Sequence, residues 1–163
     1  MTPTTRIDLF KEEMKFSAAH FTIFSAGVRE NLHGHNFTVR VEIDAAIGPE
    51  GLAFDYREAK RSLATICRGF NEILLLPTRN PHLIVEDGDN EVVARFGDER
   101  MVFLKRDVCL LPLRNISLEE LSLHILNIVV PTLTADSEFG VRCVATRVSS
   151  GPGQSASSQW TVQ

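Results

Sequence analysis

The chain has 163 residues, a formal net charge of −4, 44% hydrophobic and 23% charged residues; this length supports one domain with a full core, and the balance is that of an ordinary globular protein. No basic block marks a nucleic-acid-binding face, no apolar run approaches the roughly 20 residues of a membrane span, and Met1–Arg6 carries no apolar signal core. The three cysteines, Cys67, Cys109 and Cys143, have no metal-ligand spacing and fit reduced, mostly buried thiols in a cytoplasm.

Residues 6–21 read as a strand in which Lys11, Glu12 and Glu13 interrupt the alternation. Beyond them Met14, Phe16, Ala18 and His20 share one face. Residues 22–32, with Ser25, Gly27 and Asn31, read as a loop. Residues 33–46 form the second strand, with Phe37, Val39, Val41 and Ile43 alternating against polar neighbours. Gly48-Pro49-Glu50-Gly51 is a turn. The first helix is expected from Asp55 as N-cap, with Glu58 completing a capping box and Tyr56, Ala59, Leu63, Ile66 and Phe70 at helical spacing. Gly69 falls near its end.

Residues 74–113 read as extended, with a small β-meander. Leu83–Glu86 and Glu91–Phe96 flank the turn Asp87–Asn90, and Gly97-Asp98-Glu99 turns the chain into Met101–Leu104. The second helix starts after Ser117, with Glu120 closing a capping box and Leu118, Leu121, Ile125 and Ile128 as its stripe; Pro131 is expected to end it. Residues 139–148 are the last strand, and the Ser-, Gly- and Gln-rich tail from Ser149 reads as loose. The whole, residues 1–163, is expected to be a single α+β domain, its strands in one antiparallel sheet with both helices on one face. The insertion at about 78–113 covers a site, extends an oligomer, or is a tolerated surface addition.

The chemistry lies in three histidines. His33 and His35 extend the apolar face of the second strand, and His20 ends the apolar face of the first. A lone His on such a face is usually a core residue with a satisfied hydrogen bond. Three together, two of them locked two residues apart, point instead to a metal, because burying unpartnered imidazoles is costly. Three neutral imidazoles with one open position are a common catalytic zinc arrangement. His82 and His124 have no role in this reading, His124 being structural or exposed.

Phe16-Ser17-Ala18-Ala19-His20, His33-Gly34-His35-Asn36-Phe37, Gly51–Tyr56 and Ser117–Leu121 together resemble the 6-pyruvoyl-tetrahydropterin synthase / 6-carboxytetrahydropterin synthase family, over roughly residues 8–73 and 114–153. The resemblance implies a T-fold, a four-stranded antiparallel sheet with two helices, that assembles by its sheets, usually into homohexamers. It implies Zn2+ on His20, His33 and His35 and substrates related to 7,8-dihydroneopterin triphosphate.

The chain departs from the family pattern in three places. The family's nucleophilic Cys stands where this chain has Arg29, and Glu30 follows. A subgroup with Glu there and no Cys releases 6-hydroxymethyl-7,8-dihydropterin. By residue chemistry alone Glu30 reads as a solvated loop acid; the resemblance favours a general base. The family's Asp-His pair aligns with Asn71-Glu72. Its pterin-anchoring Glu aligns with Ser149 or Ser150, with Glu119 or Glu138 as substitutes.

The expectation is therefore a zinc-dependent lyase that cleaves a dihydroneopterin side chain, with Glu30 catalytic and Ser150 and Glu119 binding substrate. The alternatives are a 6-carboxytetrahydropterin synthase of queuosine synthesis and a ligand-binding homologue without turnover. The expected partners are a small pterin-like substrate and copies of the chain itself, with no nucleic acid and no membrane.

Overall fold

The computed structural model describes residues 4–135 and 140–162. One fourteen-residue strand organises it: β5 (His33–Ala46), in which Phe37, Val39, Val41, Ile43 and Ala45 are buried and the intervening residues are not. Period-2 alternation puts every second side chain on one face, so this face and no other can carry the core.

The expected strand 6–21 is two strands, β1 (Thr4–Leu9) and β2 (Lys15–His20). Both pair antiparallel with the same edge of β5, β1 against Val41–Ala46 and β2 against His33–Thr38. Lys11, Glu12 and Glu13 are exposed and turn the chain out between them. Buried Met14 re-enters the ladder, its carbonyl accepting from Val39 N–H at 2.8 Å. Residues 22–32 are not all loop. They hold a short antiparallel hairpin, β3 (Ile23–Ser25) and β4 (Val28–Arg29).

The turn 48–51 forms as expected, Gly51 N–H reaching Gly48 O at 3.0 Å with Gly51 at φ +77°. Helix α1 spans Arg57–Phe70, and its N-cap is Tyr56, not Asp55. Asp55 accepts from Arg57 N–H and its guanidinium, while Glu58 pairs with Arg61, so the capping box does not form. Ala59, Leu63, Cys67 and Phe70 are its buried stripe.

Strand β6 (Ile73–Pro77) runs parallel to β2. The meander follows as β7 (Ile84–Asp87), β8 (Glu91–Phe96) and β9 (Glu99–Leu104), antiparallel throughout. Strand β10 (Val108–Leu111) then lies parallel to β6. Parallel neighbours need a long crossover connection, usually a helix. Here the meander is that connection.

Helix α2 spans Leu118–Thr134. Ser117 caps it, its hydroxyl accepting from Glu120 N–H at 3.3 Å; the Glu120 carboxylate takes Arg114 instead of closing a box. Pro131 lies inside the helix rather than at its end, on an exposed position. The buried stripe is Leu121, Ser122, Ile125, Leu126, Val129 and Leu133; Ile128 is exposed. Strand β11 (Val141–Ser149) replaces the expected 139–148, and Glu138 and Phe139 lie outside the described residues. The tail is not loose: β12 (Ser155–Thr161) pairs with β11 in a hairpin. Its Ser-rich composition hid a strand whose pairing is supplied by its neighbour.

The ladder β2–β5–β11–β12 is thus a four-stranded antiparallel sheet, but β1, β6 and β10 extend it to a mixed sheet of seven. Residues of α1 and α2 pack with the buried faces of β2, β5 and β11 in one core, which puts both helices on one face. A second core joins the meander to the sheet through Phe21, Ile23, Leu74, Leu76, Leu83, Val92, Ala94 and Phe96.

The start of α2 is held by one side-chain cap. Ser117→Ala is expected to cost about 1 kcal/mol, read as a lower urea midpoint with an unchanged m-value. A midpoint equal to wild type would show that tertiary packing alone sets this helix start.

Candidate metal centre

β2 and β5 pair so that His20 stands opposite His33 and Ala18 opposite His35. All three rings project to the core face at the end of the sheet. The ring centroids are 4.7 Å apart for His20 and His33, 4.8 Å for His33 and His35 and 5.4 Å for His20 and His35. One ligating nitrogen from each lies within 4.8 Å of the others. Phe37 packs at the edge of His20 and His35 and forms the apolar floor.

The outer nitrogens are already spoken for. His20 Nδ1 is 2.9 Å from Ile116 O, and His33 Nδ1 is 2.8 Å from Asn31 O. A carbonyl only accepts, so both Nδ1 atoms carry the proton and both Nε2 atoms present a lone pair. His20 Nε2 is buried with no hydrogen-bond partner among the described residues, and His33 Nε2 faces His35 Nε2 at 3.1 Å. Nitrogen ligands of a tetrahedral site with bonds of about 2.0–2.1 Å lie about 3.3 Å apart. An open lone pair on His33 Nε2 and a buried orphan nitrogen on His20 are what a divalent cation would satisfy. Carbonyl partners on the far ring nitrogens are the usual outer support of such ligands. The three histidines therefore form a group that could hold a metal ion.

Burial holds His20 below the ordinary imidazole range, against the opposing pull of Ile116 O. That favours the neutral, ligating form. The signal for His20, His33 and His35 was in the alternation of the sequence. The supports at Ile116 and Asn31 were not, because they are backbone carbonyls brought in by tertiary structure.

Glu30 follows β4 and is half-buried. Its Oε2 accepts from Thr22 N–H at 2.9 Å, and its own N–H donates to Thr22 O at 2.9 Å. Burial pushes its pKa up, but the bonds to Thr22, helped by the electrostatic pull of the nearby His33 and His20 rings, outweigh this and leave it below the ordinary carboxylate value. Glu30 is therefore a fixed, ionised carboxylate beside the histidines, not a solvated loop acid. Asn115 clasps the same segment, its amide bonding Ile23 N–H at 3.1 Å and Ile23 O at 2.8 Å. Thr22 and Asn115 had no signal in the sequence.

The other expected residues lie apart from this group. Ser150 is in the β11–β12 turn, its hydroxyl accepting from the Gln154 amide at 2.7 Å. Ser149 is in register with Thr38, so Ser150 sits at the sheet end that carries His35, one strand over. Glu119 is in the first turn of α2, three residues beyond the carbonyl that orients His20. Asn71 accepts from Ser17 N–H at 2.9 Å, and Glu72 holds φ +57° while donating its N–H to Ser17 O at 2.6 Å. His124 stacks on Phe70 between the helices, and His82 is exposed. Cys67 is buried and its thiol is pushed up to about 12 by desolvation. Cys109 and Cys143 are raised for the same first reason. No cysteine belongs to the histidine group among the described residues.

No helix among the described residues is long and apolar enough to cross a membrane. A protein of Methanocaldococcus jannaschii named a 6-carboxy-5,6,7,8-tetrahydropterin synthase is 24% identical over 144 residues, 88% of either chain. The crystal structure of Plasmodium vivax 6-pyruvoyl tetrahydropterin synthase superposes with a TM-score of 0.90 at 25% identity, over 98% of this chain and 99% of that one. A variant of the P. vivax enzyme with its catalytic glutamate replaced by alanine gives 0.88 at 25%, with the same coverage. The Plasmodium falciparum enzyme gives 0.87 at 25%, again over 98% and 99%. This likeness shows the T-fold. The sequence pattern of the 6-pyruvoyl tetrahydropterin synthase family matches residues 9–159, and the chain belongs to that family.

Proposed function

We propose that the chain is a zinc-dependent lyase of pterin metabolism that cleaves the side chain of a dihydroneopterin compound to 6-hydroxymethyl-7,8-dihydropterin. The observation that carries this reading is the pairing of the three-imidazole group with a fixed carboxylate, Glu30, where no thiol is available. The P. vivax relative is described with a catalytic glutamate, which supports the Glu-bearing subgroup.

His20, His33 and His35 would hold Zn2+ through Nε2, the nitrogen left open on His20 and His33 by their carbonyl partners. Bound there, the ion supplies Lewis acidity toward a side-chain hydroxyl of the substrate. Glu30 takes the proton from the hydroxyl on the second side-chain carbon. The bond between the first and second carbons breaks, and the second carbon becomes the carbonyl of a two-carbon aldehyde. The released electron pair enters the conjugated pterin ring, and the carbon left on the ring recovers the proton from Glu30. Protons and electrons balance with no further reactant. Thr22 N–H keeps one Glu30 oxygen occupied, leaving the other for the proton. Ser150 and Glu119 are proposed to bind the pterin.

A second reading, synthesis of 6-carboxytetrahydropterin, is favoured by the name of the M. jannaschii relative. Against it stand Arg29, Asn71 and Glu72 at the positions of the family's thiol and its Asp-His pair. The assembly is proposed to be a homohexamer in a reducing cytoplasm. Strands β10 and β12 end the sheet path, and bare edges invite pairing with another copy.

Size-exclusion chromatography with light scattering and metal analysis of the same peak tests the centre and the assembly. We expect about one Zn2+ per chain and a mass several times that of the 18.2 kDa chain. His33→Ala should abolish the metal, because two imidazoles and water hold Zn2+ poorly at neutral pH. A metal-free, monomeric wild type is the contrary result.

Glu30→Gln keeps the side-chain shape and removes its basicity. Turnover of dihydroneopterin triphosphate should fall by about 10²–10⁴-fold with zinc content unchanged, while alkylation of the accessible thiols leaves turnover intact. A Glu30→Gln protein as fast as wild type would remove Glu30 from the mechanism.

A further inference from the structure

Arg29 occupies the position next to Glu30 and is only 17% exposed. Its guanidinium lies over the rings of Phe21, at 5.1 Å, and Phe96, at 5.9 Å. Phe21 precedes Thr22, the residue that holds the Glu30 carboxylate; Phe96 ends β8 of the meander. Among the described residues the guanidinium makes three polar contacts. Nη1 donates to the Glu30 carbonyl at 2.8 Å, while Nε and Nη2 reach Glu99 Oε2 at 2.6 and 2.5 Å. Glu99 opens β9. Phe21, Ile23 and Phe96 belong to one buried cluster, so the hairpin that carries Glu30 and the meander share a core.

We propose that the meander positions Glu30: the Arg29–Glu99 bridge, seated between Phe21 and Phe96, fixes the Glu30 main chain and so the carboxylate beside the histidines. This rests on the reading of Glu30 as the base. A free hairpin of three-residue and two-residue strands has too few pairings to hold a side chain in one place. The guanidinium's planar fork can engage the Glu30 carbonyl and the Glu99 carboxylate together, which a Lys ammonium on its flexible stem cannot do with the same geometry. The Glu99 end is 55% exposed, so the bridge adds little to global stability. Its effect is local, on the order of the hairpin. Arg29 and Glu99 are positioning residues; neither is assigned contact with the substrate.

The test is Glu99→Ala in the full-length, zinc-loaded protein, alone and combined with Glu30→Gln. Arg95→Ala serves as control, since it breaks a different meander ion pair, Arg95–Glu86, that does not touch the hairpin. Amide hydrogen exchange gives a readout independent of turnover. The Thr22 N–H, protected by the Glu30 carboxylate, should exchange about tenfold or more faster in Glu99→Ala, while α2 amides are unchanged. In turnover, kcat should fall about tenfold with KM and zinc content unchanged. In the Glu30→Gln background, Glu99→Ala should cause no further loss, because its effect passes through that carboxylate. Arg95→Ala should match wild type throughout, and Arg29→Lys should lose as much as Glu99→Ala. Thr22 exchange within twofold of wild type in Glu99→Ala overturns the proposal. So does an equal further loss of kcat in the Glu30→Gln background. If Glu30→Gln itself turns over like wild type while Glu99→Ala accelerates Thr22 exchange, the anchoring stands and the reading of Glu30 as the base fails.

Discussion

A buried imidazole nitrogen without a partner is the constraint on which the rest of this site depends. His20 Nε2 has no hydrogen-bond partner among the described residues, although His20 is only 6% exposed. Leaving such a group unsatisfied costs on the order of 1–3 kcal/mol. The protons of His20 and His33 are committed to Ile116 O and Asn31 O. The imidazoles are therefore costly as they stand, and a bound cation would satisfy them.

The fold supplies the orientation through long-range pairings. β2 and β5 set two histidines opposite each other or nearly so, and the carbonyl just before α2 sets the tautomer of the first. Asn115, beside that carbonyl, clasps the strand next to Thr22, and Thr22 in turn holds Glu30. The helix start, the hairpin and the metal group are thus linked by consecutive contacts. The crossover between β6 and β10 enters the same assembly through Phe96 and Glu99. A connection needed for topology and a support for the site occupy the same residues.

What was legible in the sequence had a local period. The alternation through 33–46 gave the long strand, its buried face and the placement of His33 and His35, and the capping Ser117 marked the second helix. What was not legible depends on partners distant in sequence. The split between β1 and β2 follows from both lying along β5; Lys11–Glu13 showed only that the alternation failed. β12 is polar and Ser-rich, and is a strand because β11 offers it an edge. Pro131 sits within α2 because its position faces solvent and tertiary packing on the opposite stripe carries the helix through it. Thr22 and Ile116 act through backbone atoms, which every residue has, so no residue type announced them. Arg29 was visible only as a missing thiol, and its role lies in contacts with Phe21, Phe96 and Glu99.

The central claim is that these three histidines and Glu30 break a carbon–carbon bond in a dihydroneopterin side chain. Mass-spectrometric identification of both products after incubation of the zinc-loaded wild type with dihydroneopterin triphosphate tests it most directly. The account predicts 6-hydroxymethyl-7,8-dihydropterin together with an equal amount of a two-carbon aldehyde that carries the triphosphate. Formation of 6-carboxytetrahydropterin, or recovery of unchanged substrate, would contradict it.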